Sequence, residues 1–365
     1  MGPLDGVRIV EFDAIGPVPL CAMLLADMGA DIIRIARAGG QSAYEDAGEA
    51  ILHRSRTAIE LNLKDATDRE TALSIVAKAD ILIEGFRPGV MERLGLGPDV
   101  CLARAPTLVY GRMTGWGQYG TLSQRAGHDI NYIAISGVLA AIGEKGRTPV
   151  PPLNIIGDYA GGAMFLAMGI LAALVEARRS GKGQIVDAAM TDGVPLLLSL
   201  FSALRQGGSW EEERESNLLD GGAPFYRCYT CADGKQVAVG ALEPQFFRQL
   251  LEGLDLDSAS FEQNNRTGWE QMREIFADRF LTKTRDEWAI LFADKDACVS
   301  PVLTLGEAPD HPHNISRNTF QVQNGFQHPS PAPRFSRTQG VIGEATVSTV
   351  ADVLARWSER AALSG

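Results

Sequence analysis

Two residues near the middle of the chain have the types needed to move a proton. His128 lies in Gly127-His128-Asp129-Ile130-Asn131-Tyr132, where a glycine-bearing loop enters an apolar segment. Asp158 lies in Leu153-Asn154-Ile155-Ile156-Gly157-Asp158-Tyr159, between an apolar run and the start of an apolar helix. An imidazole titrates near neutrality and a carboxylate supplies a second acid–base group, so together they could remove a proton and return it. Each residue also has a plain structural use. An acid at that place caps a helix, and a histidine entering an apolar segment is commonly a satisfied core residue. Spacing alone favours the structural uses, and it does not show that the two side chains meet.

Three other patterns carry less chemistry. Gly115-Trp116-Gly117-Gln118-Tyr119-Gly120 has the spacing G-x-G-x-x-G and follows a β-rich run. A bound pyrophosphate needs close backbone approach and a helix opening behind the loop. Trp and Tyr are bulky there, Thr121 to Gly127 has no helical apolar period, and no acid stands about twenty residues beyond the strand. An NAD-dependent oxidoreductase is therefore a remote alternative. Cys228-Tyr229-Thr230-Cys231 has thioredoxin spacing but lies between strand-like runs, and one pair cannot complete a four-ligand zinc site. Two half-buried thiols near a hairpin are expected. His311-Pro312-His313 carries a proline that forbids a helical ligand pair, so a surface loop is expected and no metal site.

These groups need a frame. Val7 to Phe12 is β-rich, and Pro17 to Met28 reads as a helix with prolines at its start and Gly29 past its end. The alternation continues through Asp31 to Ile35, Ala58 to Leu63, a helix from about Thr67 to Ala79, Ile81 to Ile83, and Leu108 to Met113. Strands separated by helices predict an α/β fold with a parallel, doubly wound sheet. The segment from about Gly161 to Arg179 is apolar nearly all round and ends on Arg178-Arg179-Ser180-Gly181, cations and a glycine where the helix dipole is negative. Around Gln206 to Gly222 the chain turns polar, acidic and glycine-bearing, which reads as an interdomain linker. A second unit follows, with strand-like runs at Tyr226 to Thr230 and Gln236 to Val239. Its helices are expected at about Pro244 to Leu254, Trp269 to Phe280 and Thr284 to Ala293, and a last helix lies near Val350 to Ala362.

Composition bounds the function. A chain of 365 residues with 45% hydrophobic and 22% charged residues can bury a large core and suggests roughly two domains. A net charge of -11 repels phosphate backbones, so nucleic-acid binding is not expected. Five cysteines imply no disulfide framework and fit a reducing cytoplasm. The N-terminus lacks the form of a signal peptide. The longest apolar run, Tyr159 to Val175, carries three glycines and falls short of a usual span, so it reads as a buried helix and not a membrane anchor.

Several longer motifs in one order carry more. They include Pro3-Leu4-Asp5-Gly6-Val7-Arg8-Ile9-Val10-Glu11, Ala26-Asp27-Met28-Gly29-Ala30-Asp31 and Glu84-Gly85-Phe86-Arg87-Pro88-Gly89-Val90. Arg112-Met113-Thr114-Gly115-Trp116-Gly117-Gln118, the segment around His128, Pro152-Leu153-Asn154 with Gly157-Asp158, Gly240-Ala241-Leu242-Glu243-Pro244-Gln245-Phe246 and Pro331-Ala332-Pro333-Arg334-Phe335-Ser336-Arg337 continue the series. Over nearly its whole length the chain resembles the α-methylacyl-CoA racemases of the family III CoA-transferase superfamily.

The resemblance implies an interlocked homodimer. Each subunit would have a large Rossmann-like CoA-binding domain (1–190, completed by 318–365), a linker (191–222) and a small α+β domain (223–317). The active site would lie between the large domain of one subunit and the small domain of the other. It implies an isomerase that epimerises 2-methylacyl-CoA thioesters in fatty-acid and lipid metabolism. His128 supported by Glu243 would be one base and Asp158 the other. Arg37, Arg54, Arg56, Lys64, Arg87 and Arg93 would hold CoA phosphates, and Gly127, Asp129, Asn154 and Tyr226 would line the substrate pocket. No cofactor is implied beyond the CoA of the substrate. The main alternative is a CoA transferase, which uses the aspartate as nucleophile. Such enzymes generally lack the histidine and carry a glycine-rich loop in the small domain, whereas this chain has His128 and, at Ala238-Val239-Gly240-Ala241-Leu242-Glu243, no such loop. A non-catalytic acyl-CoA-binding protein is a further option, disfavoured by the presence of both bases.

Overall fold

Six parallel strands alternate with helices in the first unit of a computed structural model that describes residues 2–40 and 46–363. They begin with β1 (Arg8–Phe12), α1 (Pro17–Asp27), β2 (Asp31–Arg37), α2 (Asp46–Leu52) and β3 (Arg56–Leu61). Next come α3 (Ala66–Val76), β4 (Ile81–Glu84), α4 (Val90–Arg93), α5 (Pro98–Arg104) and β5 (Val109–Thr114). After α6 (Asp129–Ile135) a π-helical segment, Ile155–Ala163, runs into α7 (Met164–Ser180), then β6 (Gln184–Ala189) and α8 (Met190–Leu197).

The strands are apolar on both faces because helices cover both. Alternate residues divide the core. Ile9, Ile32, Ile83 and Val109 pack with α1 and α7 on one face, while Val10, Phe12, Ile33, Leu82 and Tyr110 pack with α3 and α5 on the other. Capping is local: Asp65 accepts from the Thr67 and Asp68 N–H groups at the start of α3, and Gly181 ends α7 in the left-handed region at φ 72°.

The apolar helix does not begin as the sequence suggests. Its glycine-bearing start is π-helical, and the reason is close packing. A Cβ on Gly161 would come within 2.6 Å of Val194, and one on Gly193 within 2.0 Å of the Gly161 carbonyl, so α8 lies against bare backbone. Ile155–Ser180 is long and apolar enough to cross a membrane. Half of its most apolar stretch is buried in the protein's own interior.

The second unit comprises Gly137–Pro151 and Leu198–Ser316. It contains α9 (Ser199–Gln206) and the antiparallel sheet β7 (Tyr226–Thr230), β8 (Gln236–Gly240) and β9 (Val299–Pro301), joined by α10 (Pro244–Gly253), α11 (Trp269–Phe280) and α12 (Arg285–Phe292). Its core is aromatic: Phe225, Phe247, Trp269, Phe276, Phe280 and Trp288. The segment expected as a linker is built differently. Most of residues 190–206 are helical, and the acidic turn after them folds around the buried Asn217. That side chain accepts from Glu211 N (2.8 Å) and donates to Glu211 O (2.9 Å), while Asp220 accepts the Asn217 N–H (2.9 Å). Polar composition there reflects a hydrogen-bonded turn rather than a free tether. Cys228 is exposed on β7 and Cys231 buried just after it. His311 and His313 flank the start of α13 (Pro312–Ser316).

Residues 317–363 return to the first unit. They form the hairpin β10 (Phe320–Gln323) and β11 (Phe326–Pro329), then β12 (Thr346–Val347) and α14 (Val350–Leu363). β12 pairs with β3, and Trp357 is fully buried with its indole N–H on Asp31 (3.0 Å). The completed seven-stranded sheet has the order β12-β3-β2-β1-β4-β5-β6, all parallel. The chain winds one way from β1 to β3 and the other way from β4 to β6. The direction therefore reverses between β1 and β4, and the carboxyl ends of those two strands open a crevice.

Candidate active site

The loops leaving β1 and β4 line a cavity of about 560 Å³. Ile15, Gly16, Phe86 and Arg87 come from these loops, and His128, Asn154 and Asp158 face the same space. The two residues whose meeting the sequence could not show are thus brought to one cavity within one unit.

His128 is exposed, so it is not a core histidine. It precedes the first turn of α6, and its backbone N–H donates to Asn131 Oδ1 (3.0 Å), which fixes the residue at the helix entrance. Asp158 is the fourth residue of the π-helical segment and does not act as its cap. Its carboxylate accepts from Asn154 Nδ2 (3.0 Å), and its backbone N–H donates to Asp129 Oδ2 (2.7 Å). A Cβ on Gly16, which stands at φ 72° before α1, would lie 3.0 Å from Asp158 Oδ2. Glycine there lets the carboxyl close against the start of α1.

A helix start by itself favours the ionised form of a carboxyl such as Asp158. Here the reverse holds: burial pushes its carboxyl above the ordinary range. The Asn154 hydrogen bond opposes that shift, the charge of Asp129 adds to it, and the charge of His128 opposes it. Desolvation outweighs the helix end.

One wall is aromatic. Trp116 and Tyr132 meet edge to face at 4.7 Å, and Tyr132 Oη donates to the Gly127 carbonyl (2.5 Å). Cβ atoms on Gly115 and Gly127 would stand 2.0 and 2.8 Å from the Tyr132 ring. Gly115 therefore serves ring packing, while Gly117 and Gly120 stand in the left-handed region at φ 88° and 102°. The loop follows β5 rather than β1 and no helix opens directly behind it, so it lacks the frame of a dinucleotide-binding loop. These flanking glycines were the available signal for the aromatic wall, which the sequence reading missed.

A second cavity of about 720 Å³ lies at the carboxyl ends of β2 and β3 and shares Ile15 and Phe86 with the first. Arg37 and Lys64 line it, Arg87 lines the first cavity, and Arg93 is exposed at the end of α4. Arg34, which the sequence reading did not select, also lines the second cavity and pairs with Asp13 (3.0 Å).

Arg54 and Arg56 do not fit the expected CoA set. Both are buried. Arg54 binds Asp27 through Nε (2.9 Å) and Nη2 (2.5 Å), and Arg56 Nη1 binds both oxygens of Glu11 at 2.7 Å. Their guanidinium groups neutralise interior carboxylates and are not presented to a phosphate.

Gly127 and Asn154 line the first cavity as expected. Asp129 does not: its side chain is buried and turned to the Asp158 backbone. Glu243 and Tyr226 belong to the second unit. Glu243 is exposed just before α10, and Tyr226 lines a cavity of that unit with Cys228, Gly240 and Cys298. Among the described residues, no group of three or more His, Cys, Asp and Glu side chains could hold a metal ion.

The sequence profile of CoA-transferase family III matches residues 4–346. The chain belongs to this family. Its relatives include α-methylacyl-CoA racemase of Mus musculus, 45% identical over 95% of this chain and 92% of the mouse protein. The Homo sapiens α-methylacyl-CoA racemase is 42% identical over 93% of this chain and 88% of its own length. A crystal structure of a CAIB/BAIF family protein from Brucella suis superposes with a TM-score of 0.84 over 98% of this chain and 99% of that one. At 22% identity, that likeness concerns the fold alone.

Proposed function

We propose that the protein is an α-methylacyl-CoA racemase, an isomerase that interconverts the 2R and 2S epimers of 2-methylacyl-CoA thioesters. The observation that carries this reading is the presence of His128 and Asp158 on one cavity at the sheet's switch point. Similarity to the mouse and human racemases supports it.

The hydrogen beside a thioester carbonyl is weakly acidic, and its removal leaves a planar enolate. Inversion then needs a proton from the opposite face, so two acid–base groups are the minimum equipment. In one direction Asp158 takes the α-proton and His128 returns one to the other face; in the reverse direction the roles exchange. A carboxyl pushed up by burial is suited to carry a proton between turnovers. The Asp129 and Ile130 N–H groups, which open α6 beside His128, have no acceptor within the helix and are suited to the enolate oxygen. Only a proton moves, so the step balances without a metal or redox group.

The second cavity takes the nucleotide end of CoA, with Arg37 and Lys64 at its phosphates and Arg87 and Arg93 along the approach. The passage past Ile15 and Phe86 suits the pantetheine arm. In this reading the enzyme is a homodimer that acts in the cytoplasm, and Glu243 of the partner subunit supports His128.

Proton NMR in deuterium oxide tests the function. Both epimers of a 2-methylacyl-CoA are expected to exchange the α-proton and approach an equal mixture, while the free acid does not react. Transfer of CoA to an acceptor acid with the α-proton untouched would replace this reading with a transferase.

A further inference from the structure

Asp129 is a buried carboxylate beside the site, yet it touches no part of the cavity. Its Oδ2 accepts the Asp158 N–H at 2.7 Å, and its Oδ1 is buried without a hydrogen-bond partner. The first N–H groups of a π-helix have no acceptor within it, and Asp158, fourth in the segment, has its N–H satisfied from α6 instead. The contact is built into the backbone on both sides. A Cβ on Gly157 would stand 2.6 Å from Asp129 Oδ2, so glycine before Asp158 is what admits the carboxylate. An amide or hydroxyl would satisfy that N–H without placing a charge there.

We propose that Asp129 is a positioning residue for Asp158: it anchors the Asp158 backbone and sets a second negative charge against the Asp158 carboxyl. The inference rests on the two-base reading above. The titratable and charged groups on the elements packed against this segment are His128 just before α6, Asp129 and Tyr132 on α6, Tyr110 and Arg112 on β5, Asp187 on β6, Asp192 on α8 and Cys21 on α1, with Arg87 on the loop after β4. On α1, Asp27 is paired with Arg54, and on α7 the charged side chains Glu176, Arg178 and Arg179 lie in the last two turns. Asp129 and His128 act on Asp158 with opposite sign, Asp129 raising and His128 lowering its affinity for a proton. Burial is the larger cause of the raised Asp158 affinity, and the Asp129 charge adds to it, since like charges held close cannot both ionise cheaply. Protonated His128 partly offsets the effect, so Asp158 gives up its proton more readily when the imidazole is charged.

The test separates charge from anchoring. Asp129→Asn keeps an oxygen for the Asp158 N–H and removes the charge; Asp129→Ala removes both. Carbon-13 NMR of the carboxyl-labelled protein follows the Asp158 titration without substrate, its signal assigned by its loss in Asp158→Asn. In Asp129→Asn the Asp158 midpoint is expected to fall, and the acid limb of the α-proton exchange profile to move with it at little-changed KM. In Asp129→Ala, misplacement of the base is expected to cost about a hundredfold in kcat. A merely structural role would lower thermal stability and leave both midpoint and limb in place, and that result overturns the proposal. Should Asp129→Ala fail to fold, Asp129→Asn decides alone. If the wild type exchanges no α-proton the racemase reading falls, and the titration still decides whether Asp129 sets the charge at Asp158.

Discussion

A carboxyl half-buried beside an aromatic wall and an exposed imidazole at a helix entrance are unequal bases, and the difference can be read out. If His128 and Asp158 stand on opposite faces of the substrate, each serves one epimer. Losing one should abolish inversion while the other still exchanges the proton of its own epimer through the enolate. His128→Ala and Asp158→Asn are therefore expected to take up deuterium from opposite epimers, with inversion down by about a hundred- to ten-thousand-fold. Mass spectrometry of separated epimers checks this, and an Asp158→Asn protein that inverts at wild-type rate removes Asp158 from the mechanism. At this scale the sequence was partly legible. The residue types at 128 and 158 stated the chemistry, but their meeting depends on a crevice formed by β1 and β4, far away in the chain. The reading of Arg54 and Arg56 failed for a related reason. Their partners Asp27 and Glu11 lie 27 and 45 positions away, and nothing local distinguishes an arginine that will be buried against an acid from one that will meet a phosphate.

Helices and strands were more legible than residues, because periodicity is a local property. The strands β1 to β5 fall where apolar β-rich runs end at turn residues, and α1 begins where Pro17 fixes the backbone. The π-helical segment was not legible, since its cause is the glycine contact with α8 rather than any propensity of its own. The end of β4 carries a testable consequence. Glu84 accepts the Phe86 N–H (2.7 Å) and Arg112 Nε (3.0 Å), while Arg112 also binds Glu92 (2.9 Å). Two acids share one guanidinium, and burial, only partly opposed by these bonds, pushes the Glu84 carboxyl up to about 7. The folded protein thus holds that proton more tightly than the unfolded chain, whose glutamate titrates near 4.5. Stability contributed by Glu84 should be fullest below that lower value and fall as pH rises towards about 7. Glu84→Gln keeps an oxygen for only one of the two donors, Phe86 N–H or Arg112 Nε, and has nothing to titrate, so its stability is expected to be lower but its urea midpoint should change less across the window. An unchanged slope would assign the pH dependence to another group. The same loop carries Phe86 and Arg87 into the cavity, so the charge of Glu84 also bears on how firmly those two are held.

The parallel sheet of the whole molecule was legible because strands alternating with helices admit few arrangements, whereas the insertion of Gly137–Pro151 into the second unit was not, having no compositional mark. A structure of one chain leaves the proposed site unfinished in a specific way. His128 and Asp158 lie in the first unit and Glu243 in the second, and the resemblance to racemases assigns Glu243 to the other subunit's site. Apolar side chains on the π-helical segment and α7 agree with a covered face. Ile155, Met164 and Met168 are each more than half exposed, where a monomer would ordinarily place polar residues. If two subunits share each site, a His128→Ala chain and a Glu243→Ala chain are each inactive alone for different reasons. Mixed, they form dimers in which one of the two sites receives an intact His128 from one subunit and an intact Glu243 from the other. Activity should return towards a quarter of wild type if subunits combine at random, since half the dimers are mixed and each has one complete site. Native mass spectrometry counts the mixed dimers, and the deuterium-exchange rate counts the complete sites. Mixed dimers without activity would place Glu243 beside the His128 of its own chain and confine each site to one subunit. Recovery in proportion to the mixed fraction would mean that neither subunit has a complete site until it meets the other, so that assembly is itself a step in making the catalyst.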